Sequence, residues 1–377
     1  MDKQTQAALG PALLAAAMLL PGLAQAETAP ERGAISVKYL DYQEDQSGLD
    51  RIRVHAPAIS VMMPVAGEWS IAASATRDAV SGATPRYHTA VSGASRMSDE
   101  RKAGDLSVTR YLSGGTISVG TAFSTEHDYR SRALSLQATI DSADKNTVWA
   151  LGIGGSDDAI NPVNRIVTNE GRQTINLLAG VTQVFTPVDI GQLTYTHSSG
   201  HGYYSDPYKL VDNRPRKREQ DTLLAQWNHR FVGLDATSRL SYRYYRDTFG
   251  ISAHTLSGEW VQSLAAGWTL TPSLRLYTQR AASFYFDPVY DARIGEPFPP
   301  GYVFGGPAFT SADQRLSGFG AVTAGLKVAK QIDRDWSVDL KVERYQQRGA
   351  WRVFGDGSPG LAPLRATSLQ IGFTRLW

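Results

Sequence analysis

The chain contains no cysteine. That excludes a disulfide framework, a thiolate metal site and a lipid anchor on a cysteine behind a cleaved leader. It also lacks charge of one sign, with 38 Lys+Arg against 36 Asp+Glu. No global field therefore argues for nucleic acid or a strongly acidic partner. Beyond residue 26 it has no apolar run approaching the ~18–20 residues of a spanning helix. What it has instead is aromatic side chains, 17 Tyr, 8 Trp and 12 Phe, together with 35 Gly.

The first residues have a different texture. Lys3 precedes an apolar stretch from Ala7 to Leu20, and Ala24-Gln25-Ala26 has the small-x-small form of a cleavage site. The pattern predicts a secretory signal peptide over 1–26 and a single mature domain over 27–377. An exported, aromatic-rich chain without membrane helices is either a soluble periplasmic protein or an outer-membrane barrel. Periodicity separates the two.

Alternation of period two dominates. In "TISVGTAFS", Ile117, Val119, Thr121 and Phe123 share one face, opposite Ser118, Gly120, Ala122 and Ser124. Along "WSVDLKVER", Trp336, Val338, Leu340 and Val342 oppose Ser337, Asp339, Lys341 and Glu343. Such segments are strands with one apolar and one strongly polar face. About sixteen of them run from 34–43 to 364–377, including 115–126, 217–231 and 334–349.

Connections after even-numbered segments are tight, whereas those at 78–98, 157–171, 200–216, 285–313 and 350–363 are long. A transmembrane barrel sorts its connections in this way, short periplasmic turns on one rim and long extracellular loops on the other. Trp69, Trp149, Phe185, Trp227, Phe231, Trp268 and Trp336 fall near segment ends, as expected of two interfacial girdles. The expected fold is therefore all-β: a transmembrane antiparallel barrel of about 16 strands.

The ending "TSLQIGFTRLW" alternates Leu369, Ile371 and Phe373 and closes on Trp377. It resembles the C-terminal strand signal read by the barrel assembly machinery, departing from it at Arg375, which can snorkel to the interface. "SGAT" (Ser81–Thr84) and "SGAS" (Ser92–Ser95) recur within the 78–98 connection. With "HSSGHGYYSDPYK" and the aromatic terminus, they resemble an uncharacterised, domain-of-unknown-function family of Gram-negative outer-membrane proteins. The resemblance spans most of the mature chain and implies a barrel, with no activity or catalytic residues to carry over.

Candidate residues follow from that architecture. Asp78, Ser81, Ser92, Asp99, Glu100 and Arg101 would organise a loop folded into the lumen as a constriction. Arg230, Arg239, Arg243, Asp339, Lys341 and Glu343 fall on polar faces and would line the lumen and set its selectivity. In "THSSGHGYYSDPYK", His197, Ser199, His201, Asp206 and Tyr208 read as a loop anchor at the outer end of the ninth strand. There Gly200-x-Gly202 would let the chain bend, and Tyr203, Tyr204 and Tyr208 would join the outer girdle. Asp157, Asp158 and Asn161 lack calcium-loop spacing and read as an exposed loop.

Neither a metal site nor a cofactor is expected. The expected surroundings are outer-membrane lipid and lipopolysaccharide, and a homo-oligomer is open. Three functions stay open: a porin-like channel for small polar solutes, a non-conducting structural or receptor barrel, and a lipid hydrolase using His197 and Ser199. The last meets a geometric objection. Side chains two apart on a strand start about 6–7 Å apart at Cα, too far for a ready nucleophile–base bond.

Overall fold

A computed structural model describes residues 28–46, 49–85, 94–209, 211–288, 303, 306 and 308–377. The expected signal peptide, 1–26, lies outside the described residues. Sixteen antiparallel strands close into one barrel. They are β1 (Ala34–Gln46), β2 (Leu49–Val65), β3 (Trp69–Pro85), β4 (Ala94–Leu112), β5 (Gly115–Thr125), β6 (Tyr129–Asp141), β7 (Thr147–Ile160) and β8 (Glu170–Thr186). The ring continues with β9 (Asp189–Gly202), β10 (Lys217–Phe231), β11 (Ala236–Asp247), β12 (Ser252–Leu264), β13 (Trp268–Gln279), β14 (Phe319–Gln331), β15 (Trp336–Arg348) and β16 (Leu364–Leu376).

Each strand pairs with its sequence neighbours, and β1 closes on β16 from Ala34↔Leu376 to Asp45↔Arg365. Gly33 and Trp377 exchange backbone hydrogen bonds of 3.0 and 3.1 Å beyond that seam. Closure leaves no open edge around the ring, while β3 and β4 extend past it as a hairpin, Gly82 to Pro85 pairing Met97 to Ala94 beyond the last β2 pair at Arg53↔Ser81.

Alternation decides what each face carries. Val119, Leu136, Leu151, Leu177, Leu193, Leu240, Leu274, Leu340 and Ile371 all stand exposed on the outer wall. A soluble protein rarely leaves so continuous an apolar band in water. The opposite parity points Ser, Thr, Gly, Gln and charged side chains into the interior.

Three expectations change. The connection expected over 78–98 is mostly strand, because β3 runs on to Pro85 and β4 starts at Ala94. Small and polar residues are mixed along the sequence there, so alternation fades while the ladder continues, with Asp78 opposite Arg101 and Ser81 opposite Ser98. Asp157 and Asp158 likewise belong to β7 rather than to an exposed loop, paired with Gln173 and Arg172. Finally, Trp69, Trp149, Phe185, Trp227, Phe231, Trp268 and Trp336 all lie at strand ends of the tight-turn rim, one girdle instead of two. Higher on the outer wall stand Tyr39, Phe123, Tyr195 and Tyr242, exposed toward the loop side.

At the turn rim cations sit beside the indoles. Arg110 lies over Trp69 at 5.2 Å, Lys330 over Trp268 at 5.2 Å and Arg375 over Trp336 at 5.3 Å. Arg375 thus places its charge against an interfacial ring, a cation–π contact.

Candidate functional site: the lumen wall and its loop-side mouth

The interior is lopsided. Along β5–β9 the inward parity is mostly small and hydroxylated: Ser118, Gly120, Ser135, Gly152, Ser156, Gly180, Thr194 and Ser198. From β10 round to β15 long charged side chains stand among serines and threonines. Arg239 faces Glu259 at 3.7 Å, Lys327 approaches Asp339 at 4.0 Å, and Lys341 meets Glu343 at 2.9 Å. Arg230 sits lower and bonds Asp235 in the tight turn. The charged candidates are thereby split. Arg239, Asp339, Lys341 and Glu343 are paired along the wall, and Arg230 belongs to the turn rim. Among the described residues Arg243 makes no ion pair; it lies 3.5 Å from Thr222 Oγ1 and 5.4 Å over the ring of Tyr245.

Toward the loop rim the inner wall carries three buried cross-strand ion pairs. Arg101 Nε donates to Asp78 Oδ2 at 2.7 Å. Arg172 donates twice to Asp158 Oδ2, at 2.9 and 2.6 Å, while Ser131 Oγ donates to Oδ1 at 2.7 Å. Arg218 holds Asp247 Oδ2 at 2.5 Å, which also accepts from Tyr245 at 2.8 Å. Asp78 and Arg101 therefore brace two strands and do not shape a folded-in loop. Glu100 faces outward, against Arg77 at 2.6 Å and Lys102 at 3.2 Å. Ser81 lies on β3 and Asp99 on β4, and Ser92 is outside the described residues.

Above this level, other segments close in. Phe249, Ile251, Ala282 and Leu316 form a buried cluster against Tyr204, Tyr245, Phe284 and Tyr285. Phe249 is fully buried, with Arg218 at 4.5 Å over its ring and Tyr204 edge-on at 5.7 Å. A second cluster of Phe319, Ala321 and Leu361 packs with Tyr277 and Tyr345. Tyr204, Ala282, Phe284, Tyr285, Leu316 and Leu361 thus seat the connections that carry them on inward-facing wall residues. They narrow the mouth from the β8–β16 side.

An ionic network staples two of these segments. A two-residue ladder pairs Asp212 with Ser311 and Asn213 with Thr310. Arg214 Nη2 reaches Asp212 Oδ2 at 2.7 Å and Asp313 Oδ2 at 2.6 Å, and Arg315 Nη2 reaches Asp206 Oδ2 at 3.0 Å. Burial alone would raise the Asp313 carboxyl, but Arg315, Lys209 and Arg214 outweigh it and hold it well below the usual range. At Asp212 burial wins over Arg214, and the carboxyl is pushed up.

The "HSSGHGYYSDPYK" stretch divides along the β9 end. His197, Ser199 and His201 share the outward face with Tyr195. His197 Nδ1 lies 2.9 Å from Asp221 Oδ1 on β10, an oxygen that also accepts from Tyr195 Oη at 2.6 Å. Arg246 Nε donates to the other oxygen at 3.1 Å. Among the described residues no hydrogen bond joins Ser199 to His197, and Asp221 is saturated by a salt cluster. The set has a base and its acid but no aligned nucleophile.

Beyond the strand, Asp206 is buried in the staple and accepts the Tyr208 N–H at 3.1 Å. Tyr208 Oη donates to Asp128 Oδ2 at 2.5 Å and accepts the Val163 N–H at 3.2 Å, tying three connections together. The expectation that Tyr203, Tyr204 and Tyr208 join the outer girdle is therefore corrected. Tyr204 turns inward beneath Arg172 at 5.2 Å, Tyr203 stacks with Arg216 at 5.9 Å, and Tyr208 faces neighbouring loops. Gly202 has φ +135°, and a Cβ there would meet Gly171 O at 2.1 Å. At Gly200 a Cβ would strike the Tyr204 hydroxyl, so the two glycines admit the turn and the ring respectively.

Sequence comparison now supplies the family. The profile described as "Protein of unknown function (DUF3570)" matches residues 10–98 and 90–365. The chain belongs to that family. No curated protein matches in sequence. Among solved structures, a bacterial polysaccharide outer membrane secretin aligns over 92% of this chain and 97% of its own, at 10% identity and TM-score 0.52. The CymD monoaromatic hydrocarbon channel aligns over 92% and 89%, at 10% identity and TM-score 0.45. OccD3 from Pseudomonas aeruginosa aligns over 93% and 94%, at 8% identity and TM-score 0.44. The likeness at these identities is one of fold: the DUF3570 chain is built as an outer-membrane β-barrel.

Proposed function

We propose that this DUF3570 protein is an outer-membrane channel that admits small polar solutes through a loop-narrowed lumen. The observation that carries it is the reversal of polarity across one closed wall of 16 strands, apolar outside and hydroxylated or charged inside. A barrel of this size encloses an aqueous passage, whereas about eight strands are filled by their own side chains. Ion pairs such as Lys341–Glu343 remain hydrated on that wall and set a transverse field across the path.

In this reading the tight turns and the tryptophan girdle face the periplasm, and the stapled loops face outward. The signal peptide over 1–26 delivers the chain, and the barrel assembly machinery reads its terminal strand. Outward-facing Arg77, Lys102, Arg132 and Arg246 stand near the loop rim, placed for lipopolysaccharide phosphates.

Planar-bilayer recording of the refolded full mature chain tests the reading. Discrete conductance steps are expected. A barrel that inserts and stays electrically silent overturns the channel and leaves a structural or receptor barrel.

A further inference from the structure

On the charged side of the interior, two arginines differ from their neighbours. Arg239, Lys327 and Lys341 each have a carboxylate on the same wall, Glu259, Asp339 and Glu343. Arg243 and Arg275 form no ion pair among the described residues. Both point inward by parity, since Leu240, Tyr242, Leu274 and Leu276 are exposed on the outer wall. Arg275 is exposed to the interior and Arg243 half-buried.

Register brings the two together. Arg243 lies opposite Thr255, and Thr255 lies opposite Tyr277, two residues along β13 from Arg275. Crossing two strand spacings and two residues of rise separates their Cα atoms by about 12 Å. Side chains of arginine length then reach one small ligand from both sides. An arginine guanidinium presents a planar cationic fork that matches a carboxylate.

The surroundings define the remainder of the ligand. Ser241 and Ser257 share the row of Arg275, with Thr323 on its other side. Thr222 and Thr255 flank Arg243. Three inward tyrosines, Tyr245, Tyr277 and Tyr345, stand just above or beside them. Hydroxyls and flat rings around two unpaired guanidiniums suit a small body bearing several hydroxyl groups and one carboxylate. The nearest acids do not cancel the charge: Glu259 and Glu343 sit one row lower, against Arg239 and Lys341. Asp247 is held by Arg218 and Tyr245.

We propose that Arg243 and Arg275 form an anion-binding step on the lumen wall, selective for small hydroxylated carboxylates. This rests on the channel reading, and the experiment separates the two. Reversal potentials are measured in a potassium chloride gradient for the refolded wild-type barrel, for Arg243→Gln/Arg275→Gln and for Arg243→Lys/Arg275→Lys. Gluconate is then added to one side as the probe.

The wild type is expected to favour chloride over potassium. The glutamine pair is expected to lose about three-fold or more of that preference, and the lysine pair to keep most of it. Gluconate is expected to reduce chloride current through the wild type and to lose at least ten-fold in blocking potency on the glutamine pair. Absence of any conductance overturns the channel itself. Conductance with unchanged selectivity in the glutamine pair overturns the anion step alone. Equal gluconate block of wild type and glutamine pair overturns the carboxylate preference and leaves inorganic anions as the cargo. The lysine pair guards against a folding defect, because it retains charge and length at both positions.

Discussion

Arg214 and Asp313 lie 99 residues apart in the chain, yet their side chains meet at 2.6 Å inside the loop assembly. Neither has appreciable solvent access, and Asp212 completes the contact from the other side. Removing one member of a buried pair strands the charge left behind, at a cost of about 3–5 kcal/mol. Arg214→Met should therefore release segment 203–216 from segment 308–318 without opening the barrel. Limited proteolysis should show new cuts in those segments while the barrel strands persist. Uncut loops would mean that the aromatic clusters hold them unaided.

The same staple predicts a staged response to acid. The raised Asp212 binds a proton more readily when folded than when unfolded, so acidification through its folded value favours the docked state. Asp313 has the opposite sign. Its contribution is present above the unfolded carboxylate value and is lost as pH falls through its depressed folded value. Loop protection measured against pH should hold through mild acid and fail only in strong acid. With Asp313→Asn, protection should weaken already at neutral pH.

Gly202 tests the turn out of β9. Alanine there must adopt φ near +135° and push its Cβ into Gly171 O. Strain of this kind costs about 1–3 kcal/mol. The expected result is a lower thermal midpoint for the refolded barrel, with loss of amide protection concentrated at the loop ends of β8 and β9. A midpoint equal to that of the parent would show that the strand end relaxes freely.

Tyr208 joins three connections through one hydroxyl. Tyr208→Phe keeps the ring and deletes the bond to Asp128 and the acceptor for Val163. A hydrogen bond to a charged group contributes about 1.5–3 kcal/mol. Amide exchange should accelerate across 126–128 and 161–169 and stay unchanged at the turn rim. Uniform acceleration would indicate a global role for the tyrosine.

Much of the barrel was readable because membrane crossing imposes period two and nothing else competes with it. β10 spans Lys217–Phe231, the range its alternation predicts, and β5 differs from the predicted 115–126 by one residue. The pattern failed above the apolar band. At Ser81–Thr84 and Ser95–Ser98 the sequence stops alternating between apolar and polar residues, and the pattern therefore hid two strand extensions. Partners across strands were equally hidden. Asp221 is the acid that His197 finds, but only the β9–β10 register brings them together. Asp212, Arg214, Asp313 and Arg315 look like solvated loop charges until the loops that carry them are docked. The two unpaired arginines divided the same way. Arg243 was visible as a lumen candidate, whereas Arg275 emerged only when its neighbours were seen to lack a carboxylate for it.

The seam between β1 and β16 also bears on the order of events in biogenesis. On one side β1 pairs its neighbour β2, but on the other Ala34 finds Leu376 only after every residue between them has been made. Loop closure on that scale is slow compared with the pairing of adjacent hairpins. Until then β1 has an exposed edge, as does whichever strand was most recently added. The chain cannot finish folding as it emerges. Until β16 arrives, both free edges of the sheet stay open to pairing with a wrong neighbour.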